Sequence, residues 1–416
     1  MFVVSVITER TFARGYDGPM EQAPEVLRTL ADRFDPAAFD APRGRALLRL
    51  RVEGEGDWDA LADGHLELRP AGDEKPDARL SADPATWRRM GEDVRGGMEA
   101  FRRGRLKLRD DLHLGVGFLA ATSGLTGPER LEVGRVTTRI GDIAVLRGGT
   151  GENVVLLHGL GATKASFLPT VAALAEHFRV TAIDLPGFGD SVMPVGAAYD
   201  PPFFSDAVEA LLDACEIERA HLVGNSMGGR VALEVGFDHP ERVGRLALLA
   251  PSLAWLRERP WAPLLKALRP ELGLLQPAPR PIVEGIVRSL VPGARDGWSA
   301  VGVDEFLRGY LSPRGRAAFY AAARNIYLEE PDRFWSRLKE LQGDALFVWG
   351  RQDRLVPIGF ARHVRDALPA AEHLELDCGH VPQLEAPRRT HAAVRRFFAQ
   401  ERGQSPFLHG ARKKGA

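Results

Sequence analysis

The 416 residues of the chain exceed what one hydrophobic core commonly holds, so two domains are expected. Apolar residues make up 44% and charged residues 27%, the balance of a folded globular protein, which excludes a disordered or fibrous chain. A formal net charge of −1 offers no field to gather nucleic acid or an anionic membrane, and no run reaches the about 18 apolar residues of a membrane-spanning helix.

In chain order, residues 1–130 read as a small α+β domain. The opening run Met1 to Ile7 meets Thr8, Glu9 and Arg10 at once, too short for the core of a secretion signal, so the cytoplasm is the expected location. Ala46 to Val52 partly alternates, Gly54 to Asp57 is a turn, and His65 to Pro70 alternates strictly, which predicts a β-meander. Asp77 to Ser81 follows as a further run, then a capped helix from about Ala85 carrying Trp87 and Met90, and a helix over Gly97 to Arg103. Leu106 to Leu108 and a mostly apolar segment from Leu112 to Ala121 complete the domain, and residues 122–135, punctuated by Gly and Pro, read as a linker.

From 136 to 400 the pattern alternates apolar strands with helices. Strands are expected at Val154 to Leu157, Val180 to Ile183, His221 to Val223, Leu246 to Leu249, Ala345 to Trp349 and His373 to Leu376. Such near-uniformly apolar strands predict a parallel sheet covered on both faces, with all strand carboxyl ends on one edge. Between the fourth and fifth of these strands, about residues 251–335, prolines and aromatics from Trp255 and Trp261 to Tyr327 and Trp335 mark an inserted cap, some of whose rings should face substrate. Residues 401–416 read as a frayed tail. Cys215 and Cys378 are too few for a disulfide framework and are expected as free thiols.

The chemistry concentrates at the predicted strand ends. Gly224-Asn225-Ser226-Met227-Gly228 matches GxSxG where a strand turns into a helix, an arrangement that lifts a serine hydroxyl above the sheet edge. A serine nucleophile needs a base and an orienting acid, in the order Ser, Asp or Glu, His. His380, in the Gly-flanked loop after the last strand, is the base, and Asp353, beyond the penultimate strand, is the acid. After the strand ending at Leu249 the chain reads Ala250-Pro251-Ser252 and offers no carboxylate. The N–H groups of Met227 and of Leu160, in His158-Gly159-Leu160-Gly161, are the expected oxyanion donors, with His158 bracing that loop and Asp184 structural. The other histidines, His177, His221, His239 and His373, fall at element ends and are expected at the surface or as caps.

These motifs, with Asp184-Leu185-Pro186-Gly187-Phe188-Gly189, resemble in order and spacing an α/β-hydrolase fold enzyme of the esterase, lipase and carbon–carbon hydrolase group over residues 136–400. The amino-terminal domain resembles the sterol-carrier-protein-2-like lipid-binding domains through its meander, Asp63-Gly64-His65-Leu66, and Met98 to Leu106 followed by Leu112 to Leu119. That resemblance implies an apolar tunnel, with Phe101, Leu112, Leu114 and Phe118 as lining, and a possible lipid ligand. The expected activity is hydrolysis of an apolar carboxylic ester or thioester through an acyl-enzyme, with no cofactor or metal, Trp255 and Trp261 contacting the acyl substrate. Hydrolysis of a carbon–carbon bond is the alternative within the fold, and a lipid carrier with a non-catalytic hydrolase half is the alternative of another class.

Overall fold

The computed structural model describes residues 22–41, 44–92, 100, 105–124, 130–255, 269, 281, 305, 307–327 and 329–400. The expected helix over Gly97 to Arg103, most of the cap including Trp261, and the tail lie outside them.

In the amino-terminal domain, α1 (Glu25–Asp32) precedes β1 (Ala46–Val52), β2 (Gly56–Ala62), β3 (Leu66–Pro70) and β4 (Ala78–Ala82), and α2 (Pro84–Glu92) is followed by β5 (Lys107–Arg109) and α3 (Leu112–Ala121). The sheet order is β3-β2-β1-β4-β5. The first three strands form the expected meander, whereas β4 lies on the far side of β1 and runs parallel to it. The turn expected over Gly54 to Asp57 yields to β2 from Gly56 onward. Its acidic residues hide the strand from pattern analysis, and Asp59, fully buried, is answered across the pair by Arg49 at 2.8 Å. The apolar segment Leu112 to Ala121 is a helix, capped by Asp111 accepting from Leu114 N–H at 3.0 Å, and every residue in it is buried. Apart from His113 the helix is apolar on all sides and must be covered on all sides.

The second sheet has eight strands, β6 (Glu132–Thr138), β7 (Gly141–Gly148), β8 (Asn153–Leu157), β9 (Arg179–Ile183), β10 (Ala220–Asn225), β11 (Val243–Leu249), β12 (Ala345–Gly350) and β13 (Glu372–Leu376). Their order is β13-β12-β11-β10-β8-β9-β7-β6, and β8 to β13 are mutually parallel. An antiparallel hairpin of β6 and β7 completes one edge. It begins at Glu132, inside the stretch expected as linker, because β6 buries Val133 alone and leaves no periodicity to read. The described helices are α4 (Leu168–Leu174), α5 (Pro201–Ala214), α6 (Met227–Asp238), α7 (Pro313–Tyr327), α8 (Pro331–Lys339), α9 (Phe360–Ala367), α10 (Pro382–Glu385) and α11 (Pro387–Phe398).

Strand side chains alternate between two cores. Val155, Leu157 and Leu248 face α5, α6, α7 and α8. Val154, Leu156 and Val348 face α4 and α11, and this second core runs without a break into the amino-terminal domain through Leu131, Leu146, Phe118 and Leu50. Helix α3 packs against β6 and closes that continuity. No helix among the described residues is long and apolar enough to cross a membrane.

Candidate active site

Strand β10 delivers Ser226 to the sheet edge with φ 54° and ψ −115°, a left-handed conformation that costs a residue with a side chain about 1–3 kcal/mol. The strain is held by backbone hydrogen bonds: Ser226 N–H donates to Leu249 O at 3.0 Å, and Ser252 N–H and Arg230 N–H donate to Ser226 O at 2.9 and 3.1 Å. Close approach explains the flanking glycine at 228, where a Cβ would stand 1.9 Å from Leu157 O. Gly159 serves likewise, since a Cβ there would come 3.3 Å from that of Ser226, so the loop after β8 lies directly beside the serine. Helix α6 starts at Met227, so its positive end falls on the serine itself.

Among the described residues, neither the Met227 nor the Leu160 N–H has a hydrogen-bond acceptor. The Leu160 loop is fixed upstream by His158, which is fully buried. Its Nε2 accepts from Leu185 N–H at 2.9 Å, which places the proton on Nδ1, donating to Gly159 O at 2.8 Å. Burial pushes the His158 pKa down and keeps the ring neutral, so it braces rather than carries protons.

His380 and Asp353 meet at the same edge. His380 Nδ1 lies 2.8 Å from Asp353 Oδ2, while Asp353 Oδ1 accepts from Leu355 N–H at 2.8 Å and Val356 N–H at 2.9 Å. One carboxylate oxygen is thereby anchored to its own loop and the other is left for the imidazole. Ser226, Asp353 and His380 are 5, 8 and 7% exposed, a site that excludes most water. Among the described residues the Ser226 hydroxyl bonds not to His380 but to Ser252 Oγ, at 3.3 Å.

A cavity of about 260 Å³ opens beside the Leu160 loop, lined by Gly161, Thr163, Phe188, Glu305, Tyr310 and Phe319. Among the described residues the cap rings that line it are Tyr310 and Phe319, whereas Trp255 packs edge-on against Phe360 at 5.2 Å. Among the described residues no cluster of three or more His, Cys, Asp or Glu could hold a metal ion.

A model of the alpha/beta hydrolase family matches residues 154–393, more than half of the chain. The chain belongs to that family. Residues 37–120 match the SCP-2 sterol transfer family, in agreement with the resemblance of the amino-terminal domain. This hydrolase is 32% identical over 267 residues to a 2-hydroxy-6-oxononadienedioate/2-hydroxy-6-oxononatrienedioate hydrolase from Paraburkholderia phymatum, covering 61% of this chain and 89% of the relative. It is 30% identical over 259 residues to a pimeloyl acyl-carrier-protein methyl ester esterase from Aeromonas hydrophila, covering 61% of this chain and 98% of the relative. Among solved structures, a bacterial membrane phospholipase A superposes with a TM-score of 0.52 at 29% identity, covering 64% of this chain and 85% of that one.

Three residues of the hydrolase site escaped sequence reasoning. Ser252 stands where a carboxylate was sought and not found, and only the fold reveals that its hydroxyl meets Ser226. Asn225 donates its amide to Leu249 O at 2.9 Å and His380 O at 3.1 Å, tying the serine turn to the histidine loop. Glu385 accepts from Gly379 N–H at 2.9 Å and Val381 N–H at 2.8 Å, clamping that loop on both sides of the imidazole.

The tunnel-lining candidates separate. Leu114 and Phe118 are buried in the shared core, Leu112 borders a second cavity between α3 and the hydrolase sheet, and Phe101 lies outside the described residues. His221 and His373 correct the expectation of surface roles. His221, on the interior strand β10, is buried and stacks on Phe398 at 4.5 Å, and His373, half-buried on the edge strand β13, stacks on Phe347 and Trp349, because aromatic neighbours cover both rings. Cys215 and Cys378 are free, and burial with nearby carboxylates pushes the Cys378 thiol up to about 12, leaving it protonated.

Proposed function

We propose that this hydrolase cleaves an apolar carboxylic ester or thioester through an acyl-enzyme on Ser226. The observation that carries this is the assembly at one sheet edge of a strained serine, an Asp353-oriented imidazole and two N–H groups that have no acceptor among the described residues. In acylation the Ser226 hydroxyl leaves Ser252, turns to His380 and attacks the carbonyl carbon as Nε2 takes its proton. The carbonyl oxygen becomes an oxyanion held by the Leu160 and Met227 N–H groups. Asp353 keeps the proton of His380 on Nδ1 and stabilises the imidazolium, which then protonates the leaving alcohol or thiol. Water activated by His380 releases the acid. The esterase from Aeromonas hydrophila and the phospholipase A, both acting on esters by their names, support an ester substrate.

The amino-terminal domain would receive a lipid in the open cleft of about 640 Å³ between α1 and α2, where Val26, Leu30 and Trp87 lie beneath a charged rim. The relative from Paraburkholderia phymatum favours a second reading, hydrolysis of a carbon–carbon bond in a dienedioate-like substrate.

The deciding experiment offers wild type and Ser226→Ala a panel of p-nitrophenyl esters, an acyl thioester and a ring-cleavage dienedioate, with fluorophosphonate labelling in parallel. Ester turnover falling on the order of 10⁶-fold in the variant, with labelling lost, is the expected result. Retained turnover or labelling in Ser226→Ala overturns it. Turnover of the dienedioate alone selects the second reading.

A further inference from the structure

Buried charged side chains gather where the amino-terminal domain, the loops of the catalytic edge and the cap meet. Lys164 Nζ lies 2.7 Å from Asp184 Oδ2 and 3.3 Å from Asp190 Oδ2. Arg308 grips Asp190 through both terminal nitrogens at 2.7 and 3.0 Å, and reaches Asp111 and Glu305 at 3.3 Å each. His113 of α3 stands between Asp40, at 2.9 Å, and Asp190, at 3.5 Å. Burial opposes the ionisation of Asp190, yet Lys164 and Arg308 together hold its carboxyl well below the usual range.

Glu305 is the member that touches every party. Its Oε1 accepts from Leu112 N–H, the first residue of α3, at 3.0 Å, and its Oε2 accepts from the Thr163 hydroxyl at 3.2 Å. It is 6% exposed and burial pushes its pKa up, so its carboxyl is tolerated there because donors from three separate segments answer it. Packing alone does not fix its place. Glu305 and Thr163 together border both the cavity beside the Leu160 loop and the second cavity, also of about 260 Å³, under α3.

Thr163 ends the loop that begins at His158. It caps the following 3-10 turn, Lys164–Phe167, while Ala162 N–H closes back on Gly159 O at 3.1 Å. The Leu160 N–H is therefore held from upstream by His158 on Leu185 and from downstream by Thr163 on Glu305. The downstream hold is completed by a backbone group of the other domain.

We propose that Glu305 is a positioning residue for acyl transfer, which ties α3 of the amino-terminal domain to the loop Gly159 to Thr163 and so sets the Leu160 N–H as an oxyanion donor. The amino-terminal domain then acts on the chemical step as well as on any ligand of its own. This rests on the acyl-enzyme reading, and coupling of this kind is carried by a contiguous chain of bonded groups whose members can be tested one at a time.

The test uses the full chain and a p-nitrophenyl ester, with active sites counted by fluorophosphonate so that rates refer to folded enzyme. Glu305→Ala should lower kcat about 10–100-fold with KM within about threefold, less than outright loss of an oxyanion donor. Glu305→Gln, whose amide oxygen still accepts from one donor, should recover kcat to within about fivefold of wild type. Thr163→Val, which removes one hydroxyl and keeps the shape, should lower kcat about 3–10-fold and carries the test should Glu305→Ala fail to fold. In the double variant the two losses should be less than multiplicative. Unchanged kcat per labelled site in Glu305→Ala or in a folded Thr163→Val, or a rise in KM alone, overturns the positioning role. An unlabelled, inactive wild type instead overturns the acyl-enzyme reading on which it rests.

Discussion

The catalytic edge and the three-way junction are both buried polar assemblies, some of whose members lie within the same few loops, yet they treat their polar groups in opposite ways. At the edge, Ser226 sits in a strained conformation with a single weak side-chain partner at 3.3 Å, and the N–H groups of Leu160 and Met227 lack acceptors among the described residues. At the junction each of these carboxylates has at least two donors: Asp184 from Lys164 and the Asp190 backbone N–H, Asp190 from Lys164 and Arg308, Glu305 from the Leu112 N–H, Thr163 and Arg308. Groups left unanswered at the edge are available to a transition state, and the stability they forgo is supplied by ordinary packing elsewhere. Groups answered at the junction hold the fold and, through Glu305 and Thr163, the loop that carries Leu160. Breaking the first assembly should therefore cost rate most, and breaking the second should cost stability first, with a smaller loss of rate where Glu305 or Thr163 is removed.

The sharpest contrast is Asp353→Asn, which keeps the size of the side chain and exchanges its charge for an amide that fits the wrong tautomer of His380. Its kcat should fall about 10⁴-fold while the urea midpoint scarcely moves. An intermediate effect is expected from Lys164→Met, which leaves the fully buried Asp184 without its cation. About 3–5 kcal/mol of unfolding free energy should be lost, read from urea titration, with kcat per labelled site changed far less than in Asp353→Asn. Equal loss of stability in the two variants would erase the distinction.

The smallest effect concerns His373, a half-buried imidazole belonging to neither assembly. Its Nδ1 accepts from Trp349 Nε1–H at 3.0 Å, and burial, with Arg365 adding to it, pushes its pKa down to about 4. Unfolded, the same ring takes a proton below about 6.5, so this contribution to stability is whole above that pH and is lost as pH falls from about 6.5 towards 4. In His373→Phe the drop in urea midpoint between pH 7 and pH 5 should shrink. An unaltered drop would show that the acid sensitivity arises in the edge or the junction instead.

Legibility in the sequence followed how local the physics is. Ser226, Asp353 and His380 each lie within four residues of a strand end, so strand, turn and candidate side chain can be read together over a short stretch. Strands β2 and β6 were hidden because burial there is achieved across the sheet, by Arg49 on Asp59 in one case and by a single inward Val133 in the other. Ser252 was within view, but a search for a carboxylate passes over a hydroxyl. Glu305 and Leu112 are 193 residues apart, and no periodicity or spacing joins a cap residue to the first turn of a helix in another domain.

Helix α3 bears on how the molecule comes off the ribosome. Its cover comes from β4 and β5, made before it, and from β6, made soon after, whereas at ordinary translation speeds roughly 10–40 s separate Leu112 from Glu305. During that interval the first turn of the helix waits for the carboxylate that will answer it. This bond between the two halves can thus form only once the cap has been made, well after the amino-terminal sheet is complete.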